Sequence, residues 1–228
     1  MAIEALVFDF DGLIVDTEGP DRQAWREVYA QYGVSMDEAE WAASVGTPSC
    51  AYDPCDYLEA AMGAPLPREQ IRREAQNRFH ALAIEQPIMP GVREYLQGAR
   101  EMGLSVGLAS SATRDWVDMH LSRRGLTPFF DCVRCFGDVL AGKPNPGLYL
   151  SVLDHLGVAP KAAVALEDSP IGARAAKSAG MYCVAVPNPV TAFLDFGPVD
   201  LRLPSLESMP LPELLEKLVQ AEPVEGDC

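Results

Sequence analysis

The run Ala5-Leu6-Val7-Phe8-Asp9-Phe10-Asp11-Gly12 joins four apolar residues to two carboxylates and a glycine. Consecutive apolar residues without polar alternation predict a strand buried on both faces, as in a parallel sheet. The aspartates then stand where that strand ends and Gly12 opens a turn. A carboxylate is a weak nucleophile in water, but one held in place can attack phosphorus and form an aspartyl phosphate. A second carboxylate two residues on can pass a proton to the leaving oxygen. Acidic residues also cap turns, so the pair alone leaves both readings open.

Further apolar runs at 104–109, 163–166, 182–186 and 201–203, and a weaker one at 132–136, alternate with helical patterns. Leu148, Val152, Leu153 and Leu156 share one helix face, as do Leu211, Leu214, Leu215 and Leu218. Residues 91–102, 114–124 and 172–179 complete the set. This alternation predicts an α/β fold, a Rossmann-like parallel sheet sandwiched by helices, with ligands beyond the carboxyl ends of the strands. One interval breaks it. Residues 17–86 carry helical patterns and no strand: a stripe of Trp25, Val28, Tyr29 and Tyr32, then 52–62 and 68–85, separated by Gly63-Ala64-Pro65-Leu66-Pro67. They predict an inserted all-helical cap at 17–86 on a catalytic core formed by 1–16 and 87–228, with hinges at 12–16 and 86–90.

The 228 residues carry 33 acidic and 18 basic side chains, a formal charge of −15. That balance argues against a nucleic-acid or anionic-membrane partner, and an anionic substrate would need local cations or a metal. Residues 1–4 lack a signal-peptide pattern and no apolar stretch is long enough to span a bilayer. The expectation is a cytoplasmic monomer whose six cysteines are free thiols. Cys132 and Cys135 form a CxxC, but no second Cys or His pair lies nearby, so packing is favoured over zinc or redox chemistry.

Three more sites carry polar residues beside strand ends or loops. Ser110-Ser111 follows the run at 104–109, Glu167-Asp168-Ser169 follows 163–166, and Gly142-Lys143-Pro144 precedes a helix. Each has a plain alternative, as a helix cap, an acidic loop or a solvated lysine. Together they match phosphoryl transfer, which needs a nucleophile, an acid/base, cations or donors for the phosphate oxygens, and usually Mg²⁺. Mg²⁺ takes one or two carboxylates, substrate oxygens and waters. Asp9 and Asp168 supply that, with Glu167 as a further ligand or neighbour.

Asp9-Phe10-Asp11-Gly12, Ser110, Lys143-Pro144 and Glu167-Asp168, in this order, resemble the haloacid dehalogenase superfamily of phosphotransferases across residues 5–203. Asp16-Thr17-Glu18 and Glu167-Asp168-Ser169-Pro170-Ile171-Gly172 are similar to phrases of the subfamily holding β-phosphoglucomutases and many sugar-phosphate phosphatases. The resemblance implies that Asp9 is the nucleophile and a metal ligand. It implies that Asp11 is the general acid/base and offers its backbone carbonyl to Mg²⁺. Ser110 and Lys143 would hold phosphate oxygens, Asp168 would bind the metal, and Glu167 would lie beside it. Ser111, Arg114, Glu18 and Gly46 are the candidate substrate contacts.

Phosphatases and mutases of this type share the first half-reaction. A mutase also needs cations for a second phosphate. Where the mutase pattern has His, Lys and Arg in the cap, this chain has Asp21, Val45 and Ser49; after Ser110 it has Ala112 and Thr113 in place of Ser and Lys. Residues 42–56 contain no Lys or Arg. Hydrolysis of a small phosphorylated metabolite is therefore favoured over a β-phosphoglucomutase-type reaction. An inert phosphate-binding module would want a broken catalytic position, and none is broken. No Gly-x4-Gly-Lys-Ser/Thr stretch supports a nucleotide kinase. Trp25, Trp41 and Trp116 read as packing residues, and His80, His120 and His155 show no ligand spacing.

Overall fold

The computed structural model describes residues 2–37, 41 and 53–220. Its strands are β1 (Ala5–Phe8), β2 (Ser105–Thr113), β3 (Cys132–Phe136), β4 (Ala163–Glu167), β5 (Tyr182–Ala185) and β6 (Leu201–Arg202). They form one sheet in the order β3-β2-β1-β4-β5-β6, with every pair parallel. The helices are α1 (Glu18–Gln31), α2 (Pro54–Met62), α3 (Arg68–Ala83), α4 (Val92–Glu101), α5 (Arg114–Arg123), α6 (Gly147–Leu156), α7 (Pro170–Ser178) and α8 (Leu211–Gln220). The α/β architecture expected from the alternating runs is the one observed.

Pleating sends alternate residues to opposite faces, and the two faces differ in size. Leu6, Phe8, Val106, Leu108, Val164, Leu166 and Val184 pack against Tyr95 and Leu96 of α4, Val117 and Leu121 of α5, and Leu214 and Leu218 of α8. Ala5, Val7, Ala163, Ala165, Cys183 and Ala185 meet Leu148, Tyr149, Val152 and Leu153 of α6 and the alanines of α7. Small residues on this second face let its helices lie close. A Cβ at Gly107 would stand 2.3 Å from Val152 Cγ1. Cys132 and Cys135 are buried in these packed layers, and burial raises both thiols, Cys135 to about 11.

β1 lies at the centre, with β2 and β3 on one side and β4 to β6 on the other. Connections leaving β1 and β4 therefore part in opposite directions, and the crevice between their carboxyl ends is a topological switch point. Two boundaries differ from the sequence expectation. β2 continues to Thr113 because Thr113 pairs with Phe136 beyond an irregularity after Ala109, so Ser110 and Ser111 lie within the strand. Helix α7 starts at Pro170 rather than 172, since the Ser169 Oγ accepts from Gly172 N at 3.1 Å and caps it.

Between β1 and β2 the described residues form α1 to α4. Trp25, Val28 and Tyr29 of α1 pack with Cys55 and Leu58 of α2 and Ile71 and Ala75 of α3, a hydrophobic cluster separate from those of the sheet. The two chain crossings touch one another: Val15 forms an antiparallel bridge with Ile88, and Met89 N donates to Ile14 O at 2.9 Å. Arg124, just after α5, donates from Nη2 to the carbonyls of Ile84 (3.4 Å) and Gln86 (2.6 Å) beyond the end of α3. A cation there satisfies carbonyls that a helix end leaves open.

His120 is fully buried on α5 beneath this anchor, its Nδ1 2.7 Å from Arg124 Nη1. The guanidinium can only donate, so Nδ1 accepts and the ring is neutral. Burial, with Arg124, His80 and Arg123 nearby, lowers its pKa to about 4. A base depressed on folding contributes stability above its unfolded pKa and loses it as pH falls through the folded one. The window runs from about 6.5 down to about 4. His120→Gln keeps an acceptor for Arg124 and cannot titrate. Its thermal midpoint is expected to fall less than the wild type's across that window; parallel melting curves would contradict this origin.

Candidate active site

Each polar residue of the cluster leaves a carboxyl end of the sheet. Asp9 follows β1 directly, its N donating to Leu166 O at 3.0 Å, which holds it level with the end of β4. Glu167 ends β4 and Asp168 follows it. Ser110 lies in β2, and Lys143 comes in from the loop between β3 and α6. Asp9, Ser110, Glu167 and Asp168 are all buried.

Lys143 Nζ contacts Asp9 Oδ1 and lies 2.6 Å from Glu167 Oε1. Burial opposes its charge, yet Asp9 and Glu167 outweigh that and hold its pKa above the ordinary lysine value. Tyr149 donates its hydroxyl to Glu167 Oε1 at 2.5 Å from α6. Asp168 is held from the other side. Asn188 Nδ2 donates to its Oδ2 at 2.8 Å, and the Thr191 hydroxyl donates to its carbonyl at 2.7 Å.

Two glycines make this crowding possible. A Cβ on Gly12 (φ +78°) would lie 2.1 Å from Asp168 Oδ2, and one on Gly172 would lie 1.9 Å from Glu167 Oε1. Gly12 also needs the left-handed backbone that closes the turn, where its N donates to Val15 O at 2.8 Å. That turn carries Asp11 across from β2. Asp11 Oδ1 accepts from Trp116 Nε1 at 3.0 Å, and its Oδ2 lies 3.5 Å from Ser110 Oγ.

Burial raises the pKa of Asp9 to about 8, against the pull of Lys143. Asp168 is raised too, by burial and then by its carboxylate neighbours Asp9 and Glu167. Asp11 is raised by burial, while hydrogen bonds from Trp116, Thr17 and Ser110 work the other way. Asp9, Glu167 and Asp168 each offer a carboxylate oxygen, all within 4.8 Å of one another. Three crowded carboxylates with one ammonium leave negative charge uncompensated. The oxygen-only donor set therefore fits a hard divalent cation.

The candidates from the sequence are distributed unevenly. Asp9, Asp11, Ser110, Lys143, Glu167 and Asp168 come together. Ser111 is exposed and its Oγ accepts from Lys143 N at 3.3 Å, tying the lysine loop to β2. Glu18 opens α1 and is raised to about 7 by burial and by Asp21, Asp11 and Asp16. The Arg114 hydrogen bonds run to Val133 O (2.9 Å) and Asp138 Oδ2 (2.6 Å) rather than to the carboxylate cluster. Gly46, Val45 and Ser49 lie outside the described residues.

Sequence reading missed Trp116 as a partner of Asp11, having assigned it to packing; its position two residues into α5, just past Ser110, was the available signal. It also missed Asn188 and Thr191. They follow β5, beside β4, where the strand-end rule would have found them. Tyr149, on the same helix as the Leu148, Val152, Leu153 and Leu156 face, was not singled out at all.

A cavity of about 750 Å³ opens beside Asp11, lined by Gln76, Phe79 and His80 of α3 and by Thr113, Asp115, Trp116 and Met119. The family model described as haloacid dehalogenase-like hydrolase matches residues 6–186, the span holding the whole cluster. The chain belongs to this family.

Relatives agree with the assignment. Protein YhcW of Bacillus subtilis is 41% identical over 216 residues, 95% of this chain and 98% of YhcW. Hexitol phosphatase B of Escherichia coli is 32% identical over 93% of this chain and 97% of its own length. The crystal structure of CbbY from Rhodobacter sphaeroides in complex with phosphate superposes with a TM-score of 0.69 at 30% identity, covering 90% of this chain and 95% of that one. This haloacid dehalogenase-like hydrolase is a phosphohydrolase. Among its described residues no helix is long and apolar enough to cross a membrane.

Gly12→Ala places a methyl against Asp168 and strains the turn. The substitution is expected to cost about 1–3 kcal/mol of stability. Were Asp168 to hold a divalent metal, the substitution would also weaken that binding at least about tenfold, as the displaced carboxylate loses its place. Calorimetric titration with Mg²⁺ checks the second effect, and unchanged affinity would show that the methyl does not displace a metal ligand.

Proposed function

We propose that the protein is a Mg²⁺-dependent phosphatase that hydrolyses a small phosphorylated metabolite of carbohydrate type, through an aspartyl phosphate on Asp9. The observation that carries this reading is the juxtaposition of Asp9, Lys143 and Asp11 at the switch point of the sheet. An ammonium on the Asp9 carboxylate keeps it anionic in part against its burial and offers a donor to incoming phosphate oxygens. Asp11, one turn away and held by Trp116, is placed to protonate the leaving oxygen and later to take a proton from water. Ser110 offers a hydroxyl to the phosphate, and Ser111 steadies the loop that brings Lys143.

Asp9, Asp168 and Glu167, with the Asp11 carbonyl, would hold the metal, which when bound neutralises phosphate charge and aligns the group for in-line attack. Glu167 already accepts from Lys143 and Tyr149, so its first role is to orient the lysine. We assign residues 17–86 as a cap that closes on the site and excludes water from the first step. The substrate class rests on the relatives, since hexitol phosphatase B acts on a phosphorylated sugar alcohol by name.

Hydrolysis rather than phosphoryl return to a second hydroxyl is supported by the cavity. Its lining includes the carboxylates of Asp11 and Asp115 and, among the described residues, no Lys or Arg. A second phosphate would need such a cation.

The wild type should release phosphate from members of a sugar-phosphate panel with Mg²⁺ and lose that release in EDTA. Asp9→Asn should lose at least about a thousandfold in rate, as nucleophile removals do; retained activity would discard Asp9 as nucleophile. β-Glucose 1-phosphate should yield phosphate faster than glucose 6-phosphate. The reverse would identify a mutase.

A further inference from the structure

Helix α5 faces both the site and the inserted helices, and one of its residues touches each. Trp116 donates Nε1–H to Asp11 Oδ1 at 3.0 Å. The same ring stacks on Phe79 of α3 with centroids 5.2 Å apart and planes 28° from parallel. It meets His80 at 5.0 Å and, underneath, His120 at 4.1 Å. The indole is thus packed between two helices while its polar edge points at a buried carboxylate.

We infer that Trp116 is a positioning residue for the acid step, fixing which oxygen of Asp11 carries the transferable proton. This rests on the reading of Asp11 as general acid. An indole N–H can only donate, so the oxygen it meets must act as acceptor. The carbonyl oxygen of a carboxylic acid is the better acceptor, so the indole favours Oδ1 as that oxygen and the proton on Oδ2, beside Ser110 Oγ at 3.5 Å. In the step itself, an Asp9 oxygen forms a bond to phosphorus as the bond from phosphorus to the alcohol oxygen breaks. The Oδ2 proton passes to that oxygen, leaving Asp11 as carboxylate, still bonded to Trp116. The indole bond strengthens as charge develops on Asp11, so it favours the transition state over the ground state. Because the ring also stacks on Phe79 and His80, the orientation of Asp11 is tied to the seat of α3.

Two substrates separate this role from packing or substrate contact. p-Nitrophenyl phosphate releases a stable phenolate and needs little acid assistance, whereas sorbitol 6-phosphate releases an alkoxide that must be protonated. In Trp116→Phe, which keeps an aromatic ring and removes the donor, kcat/KM for sorbitol 6-phosphate should fall about tenfold or more. For p-nitrophenyl phosphate it should fall less than about threefold, as expected when only the protonated step suffers. The ratio of the two is independent of the fraction of enzyme that folds. Trp116→Leu, which removes ring and donor together, should show the same shift in ratio.

Equal losses on both substrates, or a rise in KM with kcat intact, would make Trp116 a packing or substrate-contact residue and overturn the inference. A wild type inert with Mg²⁺ toward p-nitrophenyl phosphate and toward every member of the sugar-phosphate panel would instead overturn the phosphatase reading itself.

Discussion

The ion pair of Lys143 with Asp9 and Glu167 is the constraint around which this structure is arranged. Three carboxylates converge where the sheet is most buried, and a buried carboxylate without compensation costs several kcal/mol. One ammonium, itself buried, meets two of them. The fold brings it across from the loop after β3 and holds it with Ser111 on β2. Tyr149 completes the arrangement by donating to the same Glu167 oxygen. Asp9 and Asp168, which this ammonium does not fully offset, are the carboxylates that a divalent cation would hold together.

The scaffold meets this demand through residue size. Alanines, Gly107 and the α6 and α7 side chains form a thin, close layer on one face of the sheet. That layer carries Tyr149 and Gly172 up to Glu167. Larger residues on the opposite face hold α4, α5 and α8, and α5 brings Trp116 to Asp11. Two glycines, at 12 and 172, mark where any methyl would enter the carboxylate cluster. Arg124 and the Val15–Ile88 bridge pin the crossings to the inserted helices, so the segment that lines the cavity is anchored at its roots.

Much of this was legible in the chain. The strands at 5–8, 132–136, 163–166 and 182–186 were placed to within a residue or two, because fully buried parallel strands leave short, nearly continuous apolar runs. Stripes such as Trp25, Val28 and Tyr29 exposed the inserted helices for a similar reason. Ser110 and Ser111 were placed after β2 instead of within it, since propensity does not report a pairing made by Thr113 beyond an irregularity. The start of α7 falls two residues before the expected 172 because Ser169, directly after Glu167-Asp168, caps the helix with its hydroxyl. Arg114 shows a deeper difficulty: position beside Ser110 suggested a phosphate contact, but Asp138, 24 residues on, offers its carboxylate.

Sequence alone determined the fold class, through apolar runs that local periodicity reveals, and the order of its motifs, by resemblance, pointed to the family and to the six polar residues of the cluster. Only the tertiary structure decided how they are partnered. Lys143 on Asp9 and Glu167, Asn188 and Thr191 on Asp168, and Trp116 on Asp11 join residues 20 to 134 positions apart. Such pairings arise from strand order and helix packing, which bring distant segments together without leaving a periodic trace in either one.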